Sequence, residues 1–240
     1  RCLGFPDSGI DTNGHPLTGD KILSIRTKRS TKRSVAALVA ATLIASVLAL
    51  VSAPASATAT VTQKRLSGLD RYATAAATAE YTYTTATKAI IASGDNYADA
   101  LTGSALSGAI ASPLLLTAKD ALPAVTAAAL GRMLGTNKTV YVLGGEAAVS
   151  AGVVTTLTGL GYVVTRVSGA DRYATAAAVA AKIKSLSTIG SLNGKVTCIL
   201  ASGQGYADAL SAGPLAHANI MPILLTEPGT LTAATSAAIT

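Results

Sequence analysis

The chain of 240 residues has no tryptophan, one phenylalanine (Phe5), two cysteines, two methionines and two histidines. Without large aromatic rings, a core has to be assembled from Ala, Val, Leu, Ile and Tyr. That inventory suits alanine-rich helices set closely on β-branched strands. Cys2 stands near the start and Cys198 lies inside the apolar run "VTCIL". A disulfide framework is thereby excluded, each unit must fold on core burial alone, and Cys198 reads as a small buried hydrophobe. His217, in "PLAHANI", is the one histidine after residue 15. The zinc sites of hydrolases use two or three, so no metal is expected. No Gly-x-Gly-x-x-Gly, P-loop or Gly-x-Ser-x-Gly occurs in residues 58–240, and no cofactor is expected either.

Charge of one sign is also scarce once it is partitioned. The formal net charge is +7. Residues 1–57 carry seven Lys/Arg against three Asp, or +4, which leaves +3 on the other 183. That remainder is scattered, without a basic stripe, and nucleic acid is not an expected partner.

What is present begins with a leader. Arg26, Lys28, Arg29, Lys32 and Arg33 precede the 17-residue apolar run Val35–Val51, and "SAPASA" then ends in Ala55-Ser56-Ala57. A positive segment, an apolar segment and a small-x-small site describe a signal peptide over 26–57, with the mature chain starting at Thr58 and carrying no membrane span. A retained anchor is the alternative, the run being just short of a comfortable span. Residues 1–25 precede the basic segment and hold no Met. They read as upstream sequence or a short extension and are set aside.

Beyond the leader the chain repeats itself. Arg65–Ala79 reads "RLSGLDRYATAAATA" and Arg166–Ala180 reads "RVSGADRYATAAAVA", identical at twelve of fifteen positions and offset by 101. "ASGDNYADAL" at Ala92–Leu101 returns as "ASGQGYADAL" at Ala201–Leu210, offset by 109. "PLLLT" at Pro113–Thr117 returns as "PILLT" at Pro222–Thr226, again offset by 109. The difference of eight residues falls in the polar stretch "KSLSTIGSLNGK", which reads as a lengthened loop. The period is too long for a solenoid, so each copy is a small domain: 58–165 and 166–240. Nothing in the second copy matches Arg132–Thr165, and the expectation is a fragment of a longer chain or an incomplete last unit.

Within the first copy, strands are expected at Lys88–Ser93, Pro113–Thr117 with Pro113 at its first position, Thr139–Leu143 and 162–167. Helices are expected at 70–85, 99–110, 123–134 and 146–157. Continuous apolar strands alternating with helices predict an α/β fold: tandem Rossmann/Toprim-like units, each a mostly parallel sheet with helices on both faces.

The Ser-Gly-x-Asp-Arg-Tyr-Ala-Thr phrase, the Ser-Gly-x-x-Tyr-Ala-Asp-Ala-Leu phrase, the Pro-(Ile/Leu)-Leu-Leu phrase and Val-Leu-Gly-Gly-Glu, in this order, resemble the bacterial cell wall-binding repeat family, type 2. The resemblance covers roughly residues 65–240. It implies a non-enzymatic module that holds an exported protein on the Gram-positive cell surface, by non-covalent binding of an anionic secondary polymer associated with peptidoglycan. The family usually carries three tandem copies around a pseudo-threefold axis, and this chain departs from that pattern with about one and two-thirds.

The candidate polymer-binding residues each carry two readings. Arg71 and Arg172 present planar forks suited to phosphate or carboxylate, or else form structural ion pairs. Tyr72 and Tyr173 adjoin them. Asp99 and Asp208 stand where a first helical turn is expected, either capping the helix or meeting polymer or cation. Tyr97 and Tyr206 either stack on sugar rings or pack as amphipathic side chains. Gly144-Gly145 is either an anion-binding nest or a tight turn. Pro113, Leu114, Leu115, Leu116, Pro222, Ile223, Leu224 and Leu225 are implicated in polymer binding by the resemblance alone. Aliphatic strand residues offer a charged polymer no hydrogen bond, and physically they read as core that positions a groove. Competing readings are a self-assembling surface-layer or adhesin component and an accessory part of a wall hydrolase.

Overall fold

The computed structural model describes residues 62–135 and 138–239. The expected signal peptide and the extension before it lie outside the described residues. Each copy opens the same way. Asp70, in extended backbone, accepts a hydrogen bond from the Ala73 amide and starts α1 (Arg71–Thr82), while Asp171 does the same through Ala174 at the start of α5 (Arg172–Leu186). Between them run β1 (Lys88–Ser93), α2 (Tyr97–Ile110), β2 (Leu114–Thr117), α3 (Ala124–Leu134), β3 (Thr139–Leu143), α4 (Ala151–Gly159) and β4 (Val163–Val167). After α5 (Arg172–Leu186) come β5 (Ser191–Leu192), β6 (Lys195–Val196), β7 (Ile199–Ser202), α6 (Ala207–Asn219), β8 (Ile223–Thr226) and α7 (Ala233–Ile239). The expected long loop is therefore partly a small antiparallel hairpin, β5–β6.

β1 to β4 form one parallel sheet in the order β2-β1-β3-β4, with Ile90 opposite Leu114, Lys88 opposite Thr139, and Thr139 opposite Val163. β7 and β8 pair in parallel with Ile199 opposite Ile223, the register of β1–β2 carried forward by 109 residues. This is the expected α/β architecture of parallel strands wrapped by helices. Alternate residues of each strand face opposite sides, so two apolar cores result. Ile91, Leu115, Val140 and Val142 pack with Leu130 and Met133 of α3 and Val153 and Leu157 of α4 on one face. Ile90, Tyr141 and Leu143 pack on the other face with Leu106 of α2 and Val179 and Ile183 of α5. That second core runs on into Ala201, Ala209, Ile223 and Leu225 of the second copy. The copies are thus joined through shared core, with α2 against both α5 and α6.

One helix begins later than the sequence pattern suggests. Residues 146–150 form turns, and α4 starts at Ala151 rather than at Glu146. The Arg166 guanidinium donates to the carbonyls of Gly144 (2.7 Å) and Val149 (2.9 Å), fixing that segment as a turn. No described helix is long and apolar enough to cross a membrane.

Candidate functional site

The repeated phrase works first as local architecture. The Gly68 amide donates to the Thr74 hydroxyl and the Gly169 amide to that of Thr175, both at 3.0 Å. A Cβ on Gly68 or Gly169 would overlap Ala73 or Ala174, so both members of each pair have to be small. Arg71 donates to the carbonyl of Gly94, and Arg172 to that of Gly203 at 2.6 Å. The rings of Tyr72 and Tyr173 lie where a Cβ on Gly94 or Gly203 would stand. Gly, Asp, Ala and Thr of the phrase thus shape the helix start, and Arg and Tyr clamp it onto the strand end of their own copy.

The tyrosine hydroxyls then diverge. Tyr72 donates to Asp95 at 3.2 Å. Tyr173 donates to Glu227, which also accepts from Gln204 at 2.9 Å. The phenolic bond and the Gln204 amide hold the Glu227 carboxyl below the usual range, while the bond to Glu227 pushes the Tyr173 phenol up. Burial, then Asp95, pushes up Tyr72.

The carboxyl ends of β1 and β3 and the turn before α5 enclose a cavity of about 410 Å³. Ligands in open parallel sheets favour this end. From the first copy it is lined by Ser93, Asn96, Asp99 and Lys119, and from the start of the second by Asp171 and Arg172. The N-termini of α2 and α5 both open on it, each with positive potential. Arg172 lies 5.9 Å over the Tyr97 ring, and Tyr97 meets Tyr206 edge to face at 5.8 Å. The two tyrosines of the second phrase therefore pack on each other across the copies.

Neither aspartate caps a helix. Asn96 caps α2 through the Ala98 amide at 3.2 Å, and α6 starts without a side-chain cap. Asp208 is exposed, whereas Asp99 is only 7% exposed and lines the cavity. Burial pushes the Asp99 carboxyl up, against the opposing charge of Arg172. Gly144 makes this placement possible: its φ is +94°, and a Cβ there would overlap Asp99 Oδ2. The paired glycines are therefore a turn whose first member clears room for a carboxyl.

Of the candidate residues, the cavity gathers Asp99 and Arg172. Arg71, Tyr72, Tyr173 and Asp208 stand outside its lining. Leu115, Ile223, Leu224 and Leu225 are fully buried, with Pro113 and Pro222 also buried and Leu114 and Leu116 half-buried. β2 and β8 each stand at a sheet edge, so both proline positions fall where an amide is least needed. Lys119 and Asn96 were not singled out from the sequence. The signal for both was their position, just after a strand expected to end at the ligand-bearing edge.

The profile of the Cell wall binding domain 2 (CWB2) family matches residues 65–154 and 166–240. The chain belongs to the CWB2 family. Among curated proteins, a CWB2 relative is the N-acetylmuramoyl-L-alanine amidase LytC of Bacillus subtilis, 36% identical over 176 residues, or 73% of this chain and 33% of the relative. The amidase enhancer of the same organism is 29% identical over 163 residues, 68% of this chain and 21% of the relative. Solved structures that share the fold include Cwp8 from Clostridium difficile, with TM-score 0.63, 30% identity, and coverage of 72% of this chain and 29% of that one. Cwp6 from the same organism gives 0.64 and 26%, over 76% and 29%. The chain spans a third or less of the length of the relatives it matches.

Proposed function

We propose that this CWB2 chain is a secreted, non-catalytic module that anchors a protein on the bacterial cell wall by non-covalent binding of an anionic secondary wall polymer. Family membership supports wall binding. The observation that carries the polymer reading is the cavity between the copies, where Arg172, Lys119 and two helix N-termini face one space. Arg172 Nη1 donates to the Gly203 carbonyl and, at 3.5 Å, to the Tyr97 hydroxyl. Its other guanidinium nitrogens have no hydrogen-bond partner among the described residues, and they are free to fork onto phosphate or carboxylate oxygens. Lys119 is exposed, and its ammonium has no hydrogen bond or ion pair among the described residues.

The test is sedimentation of the full chain with cell-wall sacculi, intact or acid-stripped of their secondary polymer, at low and moderate salt. Binding is expected on intact walls only, weakening as salt screens the charges. Arg172→Ala is expected to weaken it about tenfold or more, a charge-assisted hydrogen bond being worth about 1.5–3 kcal/mol. Lys119→Ala loses a few-fold, and Arg71→Ala, outside the cavity, leaves binding near wild type. Equal binding to stripped walls, or equal losses for Arg71→Ala and Arg172→Ala, would remove the cavity from the reading.

A further inference from the structure

Asp99 is unlike the other carboxylates of the cavity. Asp171 accepts the Ala174 amide at 2.7 Å, and Asp95 accepts the Tyr72 hydroxyl and stands 3.9 Å from Arg71. Both are exposed to water. Asp99 as a residue is 7% exposed, its carboxyl opens on the cavity, and no hydrogen bond from a described residue reaches that carboxyl. A carboxylate partly withdrawn from water into a cleft, with no protein donor, is disfavoured against its neutral acid.

The charges around it support the same assignment. From α5 come Arg172 and Asp171, from the β1–α2 turn Asp95, and from the β2–α3 turn Lys119. The β3–α4 turn puts only Gly145, Ala147 and Ala148 on the lining, and Arg166 beneath it is held by two carbonyls. Two cations and two exposed anions balance. An ionised Asp99 would turn the lining net negative and oppose an anionic ligand; a neutral one leaves the helix N-termini free to attract it.

We propose, on the anchoring reading above, that Asp99 meets the wall polymer as a carboxylic acid, donating its O–H to an anionic oxygen of the polymer, so that binding at this cavity takes up a proton wherever free Asp99 is ionised. The arrangement makes wall attachment tighter in acid. Affinity follows the fraction of free Asp99 that is protonated. It is level while Asp99 is protonated and falls by up to about tenfold per pH unit above that point.

Two experiments test this. The full chain and its Asp99→Asn variant are sedimented with intact sacculi from about pH 4 to pH 8 at constant ionic strength, the range over which a displaced carboxyl titrates. The variant keeps a neutral donor. It is expected to bind at high pH at least as well as wild type, with a pH slope shallower by up to one decade per unit. An unchanged slope, loss of binding by Asp99→Asn at every pH, or wild-type binding that strengthens as pH rises overturns the proposal. The last two outcomes would mean that the ionised carboxylate is read, by a cation or an amine. Should the variant fail to fold, carboxyl-carbon NMR of the wild type with soluble polymer released from sacculi decides. The Asp99 midpoint must move up on binding, and one that stays or falls rejects proton uptake. Absence of sedimentation at every pH sinks the anchoring reading and this inference together. Binding with no Asp99 signature sinks this inference alone.

Discussion

Two equivalent leucines separate the copies. Leu106 in α2 is 0% exposed and Leu215, 109 residues later in α6, is 54% exposed. Ile91 and Leu200 make the same contrast on the strands, at 0% and 50%. About half the letters and the local folds are shared, but the neighbours differ. α2 packs on β1, β2 and β3 and against α5 and α6, whereas the principal contacts of α6 are β7, β8 and α2. Burial is set by what surrounds an element, and a duplicated sequence does not duplicate its surroundings. The largest expected effect follows. Leu106→Ala should cost about 2–5 kcal/mol of unfolding free energy, as deletion from a close-packed core does. Leu215→Ala should stay within about 0.5 kcal/mol. Chemical denaturation of both variants measures the gap. A large cost at Leu215 would break the comparison, because it would mean that this face is covered in solution.

The same contrast explains what could be read in advance. Every strand of the first copy was legible because each is rich in β-branched or aliphatic residues, and Asp70 marked the start of α1. The start of α4 was not legible. Glu146-Ala147-Ala148 has helical composition, and what ties the segment into a turn is distant in sequence: Arg166, twenty residues on, and the Lys119 carbonyl, which accepts from the Ser150 amide at 2.8 Å. Asp99 was legible as a residue of interest but not in its role, because the cap belongs to Asn96 and the room for the carboxyl comes from Gly144. Pairing Asp99 with Arg172 was beyond sequence reasoning for a related reason. Asp99 and Asp208 look alike, as do Arg71 and Arg172, yet the cavity takes one member from each copy. No periodicity marks which.

Where the surroundings are local, the copies should behave alike. Asp70→Ala and Asp171→Ala each remove one cap bond of 2.7 Å to the amide three residues on. Each should cost about 1 kcal/mol. The two sites share no partner, and the double variant should lose the sum to within about 0.5 kcal/mol. Thermal or denaturant unfolding of the three variants checks it. Unequal costs would show that the seam, not the cap, sets the value of Asp171.

The smallest effect is the most discriminating, because the two copies should respond to pH in opposite directions. In the first, burial raises the folded-state titration of Asp99 above the ordinary aspartate value of about 3.9. Its contribution to stability is full below that unfolded value and is lost as pH rises through the raised one. In the second, the bonds from Tyr173 and Gln204 lower Glu227. Its contribution is present above the ordinary glutamate value and is lost as pH falls through the lowered one. The first copy has Ala118 at the position of Glu227, so Tyr72 turns to Asp95 instead. Melting temperature against pH should therefore lose part of its fall toward neutrality in Asp99→Asn and part of its fall toward acid in Glu227→Gln. Glu227 lies near water, and its limb should be the shallower of the two. If both substitutions flattened the same limb, Asp99 would be ionised and paired like Glu227, and the two copies would share their electrostatics as well as their caps.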